Sequence, residues 1–363
     1  MIKYQLNQYL LYRRLKCFNT NNFPPVSDIV LSKIRLNNIE KKEILDRWAG
    51  MYPSYWKKEW IFKWFRFFKW ECGYFDARFV PGDIYNSVFE LALNPKRYAD
   101  FLEYKGMLAY FIDERHRAVK LAEKINGDWY VAGDFANEKE VLKKIQGSGS
   151  DRIVIKKAID SGGGHGVKLI DRDVIDSSVF SSLFCENDIV VEEYIKENDE
   201  LRRYNPNVVN TIRVLSLNMN GRVSVLSSFL RMGGKGMMVD NVSSGGMFIG
   251  IRPDGSLFEV ACTANLEQVN NSPSGISFKG KSIESYQSIK EFVCEIHKNF
   301  PLAKLIAWDI AIDVNNDIKV IEINLNHGDA YWHQLYNGPL FGRRIDEVME
   351  YIKECKIKYI WRN

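Results

Sequence analysis

Residues 308–313 read WDIAID, and residues 320–324 read VIEIN. Both stretches are short apolar runs interrupted by acidic or amide side chains, and a polar turn separates them, which predicts two strands joined as a hairpin. Glu322 and Asn324 are two residues apart and therefore lie on one face of their strand. Asp309 can face the same way from the neighbouring strand, so the pattern predicts three oxygen-bearing side chains that converge.

These three side chains are of the kind that binds magnesium. Carboxylate and amide oxygens suit Mg²⁺, which normally also keeps water and substrate phosphates as ligands. Carboxylates between isoleucines are costly without a cationic partner, and a metal ion is the partner that we favour for Asp309, Glu322 and Asn324. Buried salt bridges to Arg213 and Arg231 are the alternative.

A second segment, residues 157–167, reads KAIDSGGGHGV. Its lysine ends one predicted strand, four glycines form a turn, and the valine opens the next strand. Glycines let peptide N–H groups crowd around phosphate oxygens, and the lysine adds a compact positive charge. The segment is not a P-loop, because no G-K-[ST] ends it, and no H-R-D or D-F-G of a protein kinase follows. A flexible hairpin tip is the structural alternative.

Two further features accompany this segment. Residues 189–195, IVVEEYI, form an apolar strand that ends in acids, and such a strand between two lobes can pair its backbone with adenine. Arg213, Arg231 and Lys235 lie on or near the strands predicted between residues 211 and 231. Cationic side chains at such positions are the expected partners of a phosphate or a substrate carboxylate.

Composition limits the classes of protein to consider. A chain of 363 residues with 46% hydrophobic and 26% charged residues can bury a large core, and long disordered tracts are not expected. The net charge of +4 is spread over 50 basic and 46 acidic residues, so no nucleic-acid partner is expected. The six cysteines form no C-x-x-C pair, and we find neither a signal peptide nor an apolar run of membrane-spanning length. These features predict a cytoplasmic protein with reduced thiols.

The order of predicted elements indicates an α+β protein with several lobes. We expect a helical N-terminal region at 1–78, a lobe at 79–150 that closes in a polar GSGS stretch, a lid lobe with the glycine loop at 151–200, and a C-terminal lobe with the metal site at 201–363.

The N-terminal region is basic and aromatic. Its segment 56–70 places Trp56, Trp60, Trp64 and Phe67 on one helical stripe. We favour a core or interface helix with lysines that extend to solvent. A helix lying on an anionic membrane surface is the other interpretation.

Together these motifs resemble the ATP-grasp superfamily. The resemblance is carried by the lysine ten residues before the valine across the glycine loop, by EEYI at 192–195, and by the aspartate followed thirteen residues later by Glu-x-Asn. More narrowly, NTIRV at 210–214, VDN at 239–241 and EINLN at 322–326 resemble the sugar-transfer-associated ATP-grasp family of surface-polysaccharide gene clusters. The similarity extends from about residue 79 to about residue 345.

The resemblance implies a fold in which ATP lies between two α+β lobes, with two Mg²⁺ ions as cofactors. Asp309, Glu322 and Asn324 would hold the ions. The implied nucleotide-binding residues are Lys105, Lys157, Gly162, Gly163, Gly164, His165, Gly166, Glu192, Glu193, Tyr194, Ile195, Asp199 and Glu200. Among them, the lysines would bind phosphates, the backbone of Glu193 and Ile195 would read adenine, and Asp199 or Glu200 would hold the ribose. Arg213, Arg231 and Lys235 would be catalytic, because Ala307 stands where many ligases carry an arginine.

The reaction implied is that of a carboxylate–amine ligase. A carboxylate would attack the γ-phosphoryl group of ATP to give an acylphosphate, and an amine would then displace phosphate. The family's association with sugar transfer suggests small-molecule, sugar-linked substrates, such as a uronic acid coupled to an amino acid in capsule or O-antigen synthesis, at the inner face of the membrane. His327 and His333, with Tyr331 and Trp332, would line the acceptor pocket. A zinc site is not expected, because a third ligand is lacking nearby.

Two other functions fit the same sequence. A kinase that phosphorylates a sugar hydroxyl would use the same ATP site and release no phosphate. A non-catalytic sugar- or protein-binding module would keep the fold without turnover, although the presence of Lys157, Asp309, Glu322 and Asn324 favours an enzyme.

Overall fold

A computed structural model of the chain describes residues 2–159, 166–234, 242, 245–326, 328 and 330–355. The α-helices are α1 (Ile2–Asn21), α2 (Asp28–Lys33), α3 (Asn38–Trp48), α4 (Lys58–Cys72), α5 (Gly82–Ile84), α6 (Glu90–Leu93), α7 (Lys96–Leu102), α8 (Leu108–Phe111), α9 (Glu138–Gln146), α10 (Phe180–Leu183), α11 (Asp199–Arg202), α12 (Tyr286–Ile296), α13 (Ala330–Asn337) and α14 (Ile345–Glu354). The strands are β1 (Lys120–Ile125), β2 (Asp128–Val131), β3 (Asp134–Ala136), β4 (Arg152–Lys157), β5 (Val167–Asp171), β6 (Ile189–Glu193), β7 (Thr211–Met219), β8 (Arg222–Met232), β9 (Met247–Ile251), β10 (Ala261–Thr263), β11 (Gln268–Val269), β12 (Leu305–Ile312) and β13 (Ile318–Asn324).

The N-terminal helices enclose an aromatic core. Trp64 and Phe67 of α4 are fully buried, Trp56 just before it is 7% exposed, and Trp60 is half-buried. The core interpretation of this stripe is therefore confirmed. The buried side chains of this stripe are covered by protein, and membrane contact through residues 56–70 stays a prediction. In the part of the chain that the structure describes, no helix has both the length and the apolar content needed to cross a bilayer.

The smaller of two sheets has six strands in the order β3-β2-β1-β6-β4-β5. Every neighbouring pair is antiparallel. The boundary expected near residue 150 falls inside this sheet, because β1 pairs with β6 through Ala122 and Val191. The GSGS stretch only connects α9 to β4. One face of the sheet, with Ile153 and Ile155, packs in a common core with Val141 and Ile145 of α9.

The larger sheet has seven strands in the order β11-β10-β9-β8-β7-β12-β13, and its neighbouring strands are antiparallel as well. The expected β12–β13 hairpin is confirmed. On one face, Trp308 and Ile310 of β12 pack in a core with Ile289 and Val293 of α12. Because side chains alternate along a strand, Asp309 points to the opposite face.

The two sheets meet at the segment just before α8. The peptide nitrogen of Lys105 donates to the carbonyl oxygen of Ala158, at the end of β4, over 3.2 Å. The ammonium group of Lys105 lies 2.8 Å from Oε2 of Glu322 on β13. Gly106 lies so close to Glu123 of β1 that a Cβ there would overlap its Oε2. Lys105 therefore lies where the two sheets meet, and we call the space between their facing sides the cleft.

Candidate active site

Asp309 is the centre of a buried charged cluster on the face of the larger sheet opposite α12. It lies directly opposite Arg213 of β7. Nε of Arg213 donates to Oδ1 of Asp309 over 2.6 Å, and Nη2 donates to Oδ2 over 2.8 Å. Nη1 of Arg231 donates to the same two oxygens over 3.1 and 3.0 Å. Burial alone would raise the pKa of Asp309, but the two arginines outweigh it and lower the pKa to about 2.

Glu322 and Asn324 complete this cluster, as the sequence predicted by their spacing. Glu322 is the cross-strand partner of Asp309, and its carboxylate pairs with the buried Lys105. The amide of Asn324 donates to Oδ2 of Asp309 over 3.4 Å. The three oxygen-bearing side chains therefore converge, and Asp309 also forms the salt bridges to Arg213 and Arg231 that were the alternative. Binding of a metal ion by these side chains stays a prediction.

The side chains of this cluster suit a magnesium ion that is bound to a triphosphate better than a magnesium ion on its own. Asp309 and Glu322 supply two carboxylates, while Arg213, Arg231 and Lys105 place three positive charges against them. Among the described residues, no cluster of three or more His, Cys, Asp or Glu side chains could hold a metal. Phosphate oxygens would therefore complete the coordination of the ion. They would also give Arg213, Arg231 and Lys105 a second anionic partner besides the carboxylates.

A thermal-shift measurement should show this dependence. We expect Mg²⁺ alone to raise the melting temperature by less than about 1 °C, because the carboxylates already have cationic partners. Mg²⁺ with ATP at about 100 times its Kd should raise it by about 4 °C. An equal shift with Mg²⁺ alone would show that the carboxylates bind the ion without a nucleotide.

The alternation of side chains along β4 places Lys156 and Lys157 on opposite faces of the smaller sheet. Val154 is the cross-strand partner of Glu192, so Val154, Lys156 and Glu192 share one face. Nζ of Lys156 lies 2.6 Å from Oε2 of Glu192, and the lysine side chain is 11% exposed. Glu123 of β1 also belongs to this face, because Glu123 and Lys156 are both partners of Val190. This is the face turned toward Gly106 and the cleft.

Lys157, the lysine that the sequence singled out, points the other way. It shares its face with the buried Ile153 and Ile155, and its Nζ lies 3.9 Å from Glu186 with the side chain 38% exposed. Sequence reasoning did not single out Lys156, the lysine that lies on the cleft face. The available signal was the alternation of the two isoleucines, which assigns Lys156 to the face opposite the core.

The strand that was expected to read adenine borders the same cleft. The peptide nitrogen of Glu193 donates to the carbonyl oxygen of Val119, and that of Tyr194 donates to the carbonyl oxygen of Arg152. The carboxylate of Glu193 accepts from the hydroxyl of Ser148. No hydrogen bond joins the peptide nitrogen of Ile195 to another described residue. This N–H group is therefore available to donate a hydrogen bond to a ring nitrogen of adenine.

The two acids considered for the ribose differ in their contacts. Both lie in the first turn of α11. Glu200 accepts from the hydroxyl of Ser285 over 2.7 Å and from the peptide nitrogen of Glu284, so it holds the start of α12. Asp199 is exposed. Of the two acids, Asp199 therefore has the carboxylate that is more accessible to a ribose.

Several predicted residues lie outside the described part of the chain: Gly162, Gly163, Gly164, His165, Lys235 and His327. Gly166, at the end of the glycine loop, is described. It has a φ of +81°, a backbone conformation that residues other than glycine rarely adopt. Its carbonyl oxygen accepts from the peptide nitrogen of Lys157 over 3.1 Å. Glycine at this position lets β4 turn into β5.

Two antiparallel sheets around a cleft, with Lys156 on one wall, Lys105 where the sheets meet and a carboxylate–amide–arginine cluster on the other wall, define a protein of the ATP-grasp class. Residues 86–350 match the family model described as sugar-transfer associated ATP-grasp, and the chain belongs to this family.

Three solved structures illustrate the similarity of the chain to known folds, all at low sequence identity. The ATP-grasp ligase PsnB, in complex with a phosphomimetic variant of its minimal precursor, Mg and ADP, is 10% identical with a TM-score of 0.41, over 72% of this chain and 61% of PsnB. D-alanyl-alanine synthetase A from Vibrio cholerae is 12% identical with a TM-score of 0.42, over 72% and 67% of the two chains. Biotin carboxylase from Campylobacter jejuni is 14% identical with a TM-score of 0.44, over 72% and 48%. No curated protein matches the chain significantly.

Proposed function

We propose that the protein is an ADP-forming ligase that joins a carboxylate to an amine through an acylphosphate. The observation that carries the proposal is the convergence of Asp309, Glu322 and Asn324 with Arg213 and Arg231 on one wall of the cleft. Cations and oxygen ligands in such proximity suit a transferring phosphoryl group, whose reaction needs positioning and charge neutralisation rather than a protein nucleophile.

The described side chains can be given separate tasks on a bound ATP. Lys156 and Lys105 would exchange their carboxylate partners for phosphate oxygens, and the peptide nitrogen of Ile195 would donate to adenine. Arg213 and Arg231 would hold the γ-phosphoryl group in line with the attacking carboxylate and stabilise the charge that develops. Bound magnesium would neutralise charge on the β- and γ-phosphates.

The substrate class follows from the family rather than from the geometry. The association of the family with sugar transfer supports a sugar acid as the carboxylate, coupled to an amino acid or another amine in surface-polysaccharide synthesis. Phosphate release that depends on both substrates would distinguish this activity from a sugar kinase.

Product analysis tests the proposal directly. The enzyme with Mg²⁺ and ATP would be incubated with glucuronic or galacturonic acid, alone and with glycine, alanine or glucosamine, and the nucleotide products separated. We expect ADP and phosphate, with turnover at least about 10-fold higher when acid and amine are both present. ADP formed together with a phosphorylated sugar in the absence of amine would identify a kinase instead. AMP and pyrophosphate would exclude the acylphosphate route.

A further inference from the structure

Helix α13 lies across the same face of the larger sheet as the catalytic arginines. Along β8, Phe229 and Arg231 share this face, and Phe229 is directly opposite Arg213. The imidazole of His333 lies 4.5 Å from the ring of Phe229, between centroids. The helix therefore forms a wall beside the position assigned to the reacting phosphoryl group.

Two polar atoms on this wall lack hydrogen-bond partners in the described part of the chain. They are Nε2 of His333, which is fully buried, and Nε1 of Trp332, which is 7% exposed. The indole of Trp332 is stacked on Phe248 at 5.0 Å, so its position is fixed by packing. A buried polar atom without a partner costs about 1–3 kcal/mol. Two such atoms on consecutive residues beside a reaction centre indicate that a ligand supplies the missing partners.

The imidazole is held as a neutral group. Nδ1 of His333 is hydrogen-bonded to the hydroxyl of Ser227. Burial, and next the charge of Arg213, lower the pKa of His333 well below its usual range, while Asp309 opposes them. When Nδ1–H donates to Ser227, Nε2 carries a lone pair that can accept a proton.

We infer that α13 forms the subsite for the acceptor amine, in which the Trp332 indole N–H donates to an acceptor oxygen and His333 Nε2 receives the amine proton. The inference rests on the proposed ligase activity. As the nitrogen attacks the acylphosphate, a C–N bond forms, the C–O bond to phosphate breaks, and phosphate leaves. The amine proton passes to His333 and from it to the departing phosphate. The acceptor is accordingly a primary amine with an oxygen function near it, as in an amino sugar or an amino acid.

Hydroxylamine separates this role from the earlier steps, because it traps acylphosphates at neutral pH without a base. His333→Gln should lower amide formation with the best amine of the panel by about 100-fold or more. Hydroxamate formation by the same variant should stay within about threefold of the unsubstituted enzyme. An equal loss of both products would overturn the inference. A failure of the unsubstituted enzyme to form hydroxamate would instead overturn the proposed function.

His297 provides a matched control. It also pairs Nδ1 with a serine, Ser216, at 2.7 Å, but its Nε2 is satisfied by the carbonyl oxygen of Ala303 at 3.1 Å. It packs against Trp308, on the other face of the sheet. His297→Gln should leave the ratio of amide to hydroxamate unchanged, whatever it does to stability. A change in this ratio equal to that of His333→Gln would show a general effect of weakened packing.

Trp332→Phe tests the second half of the subsite and does not depend on the folding of the histidine variant. It removes the N–H group and keeps an aromatic ring against Phe248. We expect the KM for the amine to rise about 10-fold, with the rate of hydroxamate formation unchanged. An unchanged KM for the amine would remove Trp332 from the subsite.

Discussion

Replacing Asp309 by asparagine should lower kcat for ADP formation by about 1000-fold. In the proposed function the carboxylate would bind magnesium and would orient Arg213 and Arg231, whose N–H groups donate to it at 2.6–3.1 Å. Metal ions and fixed cations each contribute several kcal/mol to phosphoryl transfer, and a loss of about 4 kcal/mol corresponds to a factor of about 1000. Steady-state release of ADP, measured at saturating substrates, gives the result.

Stability has to be separated from catalysis in this experiment. Removing one partner of a buried ion pair costs about 3–5 kcal/mol of unfolding free energy, so denaturant unfolding should accompany the assay. Asp313→Asn is the control, because Asp313 is a buried aspartate of the same hairpin that pairs with Lys319 at 3.4 Å. It should lose stability and keep its activity. A folded Asp309→Asn protein with normal turnover would leave Asp309 as a structural salt bridge, the alternative that the sequence left open.

The second large effect concerns the two lysines at the end of β4. Lys156→Met should lower kcat/KM for ATP by about 100-fold, since a charged hydrogen bond to phosphate contributes about 1.5–3 kcal/mol. Lys157→Met should change it by less than about threefold. Methionine keeps most of the aliphatic stem of lysine. Comparison of the two variants therefore separates the contribution of the ammonium group on the cleft face from that of the ammonium group on the opposite face. Steady-state kinetics at varied ATP concentration would measure both variants.

The reverse order of effects would show that Lys157, and not Lys156, binds the phosphates. Equal losses would indicate that both ammonium groups reach them. Because Lys156→Met also removes the partner of Glu192, its melting temperature has to be compared with that of Lys157→Met. A loss of activity that disappears at a temperature well below both melting points would indicate unfolding rather than lost phosphate binding.

Much of the site could be predicted because strand periodicity is local. The alternation of β13 places Glu322 and Asn324 on one face, and the short turn before it makes β12 its neighbour, so the meeting of these residues with Asp309 follows from residues close in sequence. The same reasoning applied to β4 would have placed Lys156 on the face opposite the core. The spacing of the glycine loop favoured Lys157, but spacing within a loop does not determine which face a strand residue occupies.

The sequence by itself determined the β12–β13 hairpin, the apolar stripe of α4 and the family of the fold, since each depends on side chains a few residues apart or on motifs in order. Only the tertiary structure decided that Arg213 and Arg231 hold Asp309 across 96 and 78 residues, that Lys105 meets Glu322, and that α13 lies over Phe229. The physical reason is that a strand's own pattern sets which face is apolar, whereas its neighbours are chosen by the packing of whole sheets and helices. Those distant contacts complete the charge balance of the site.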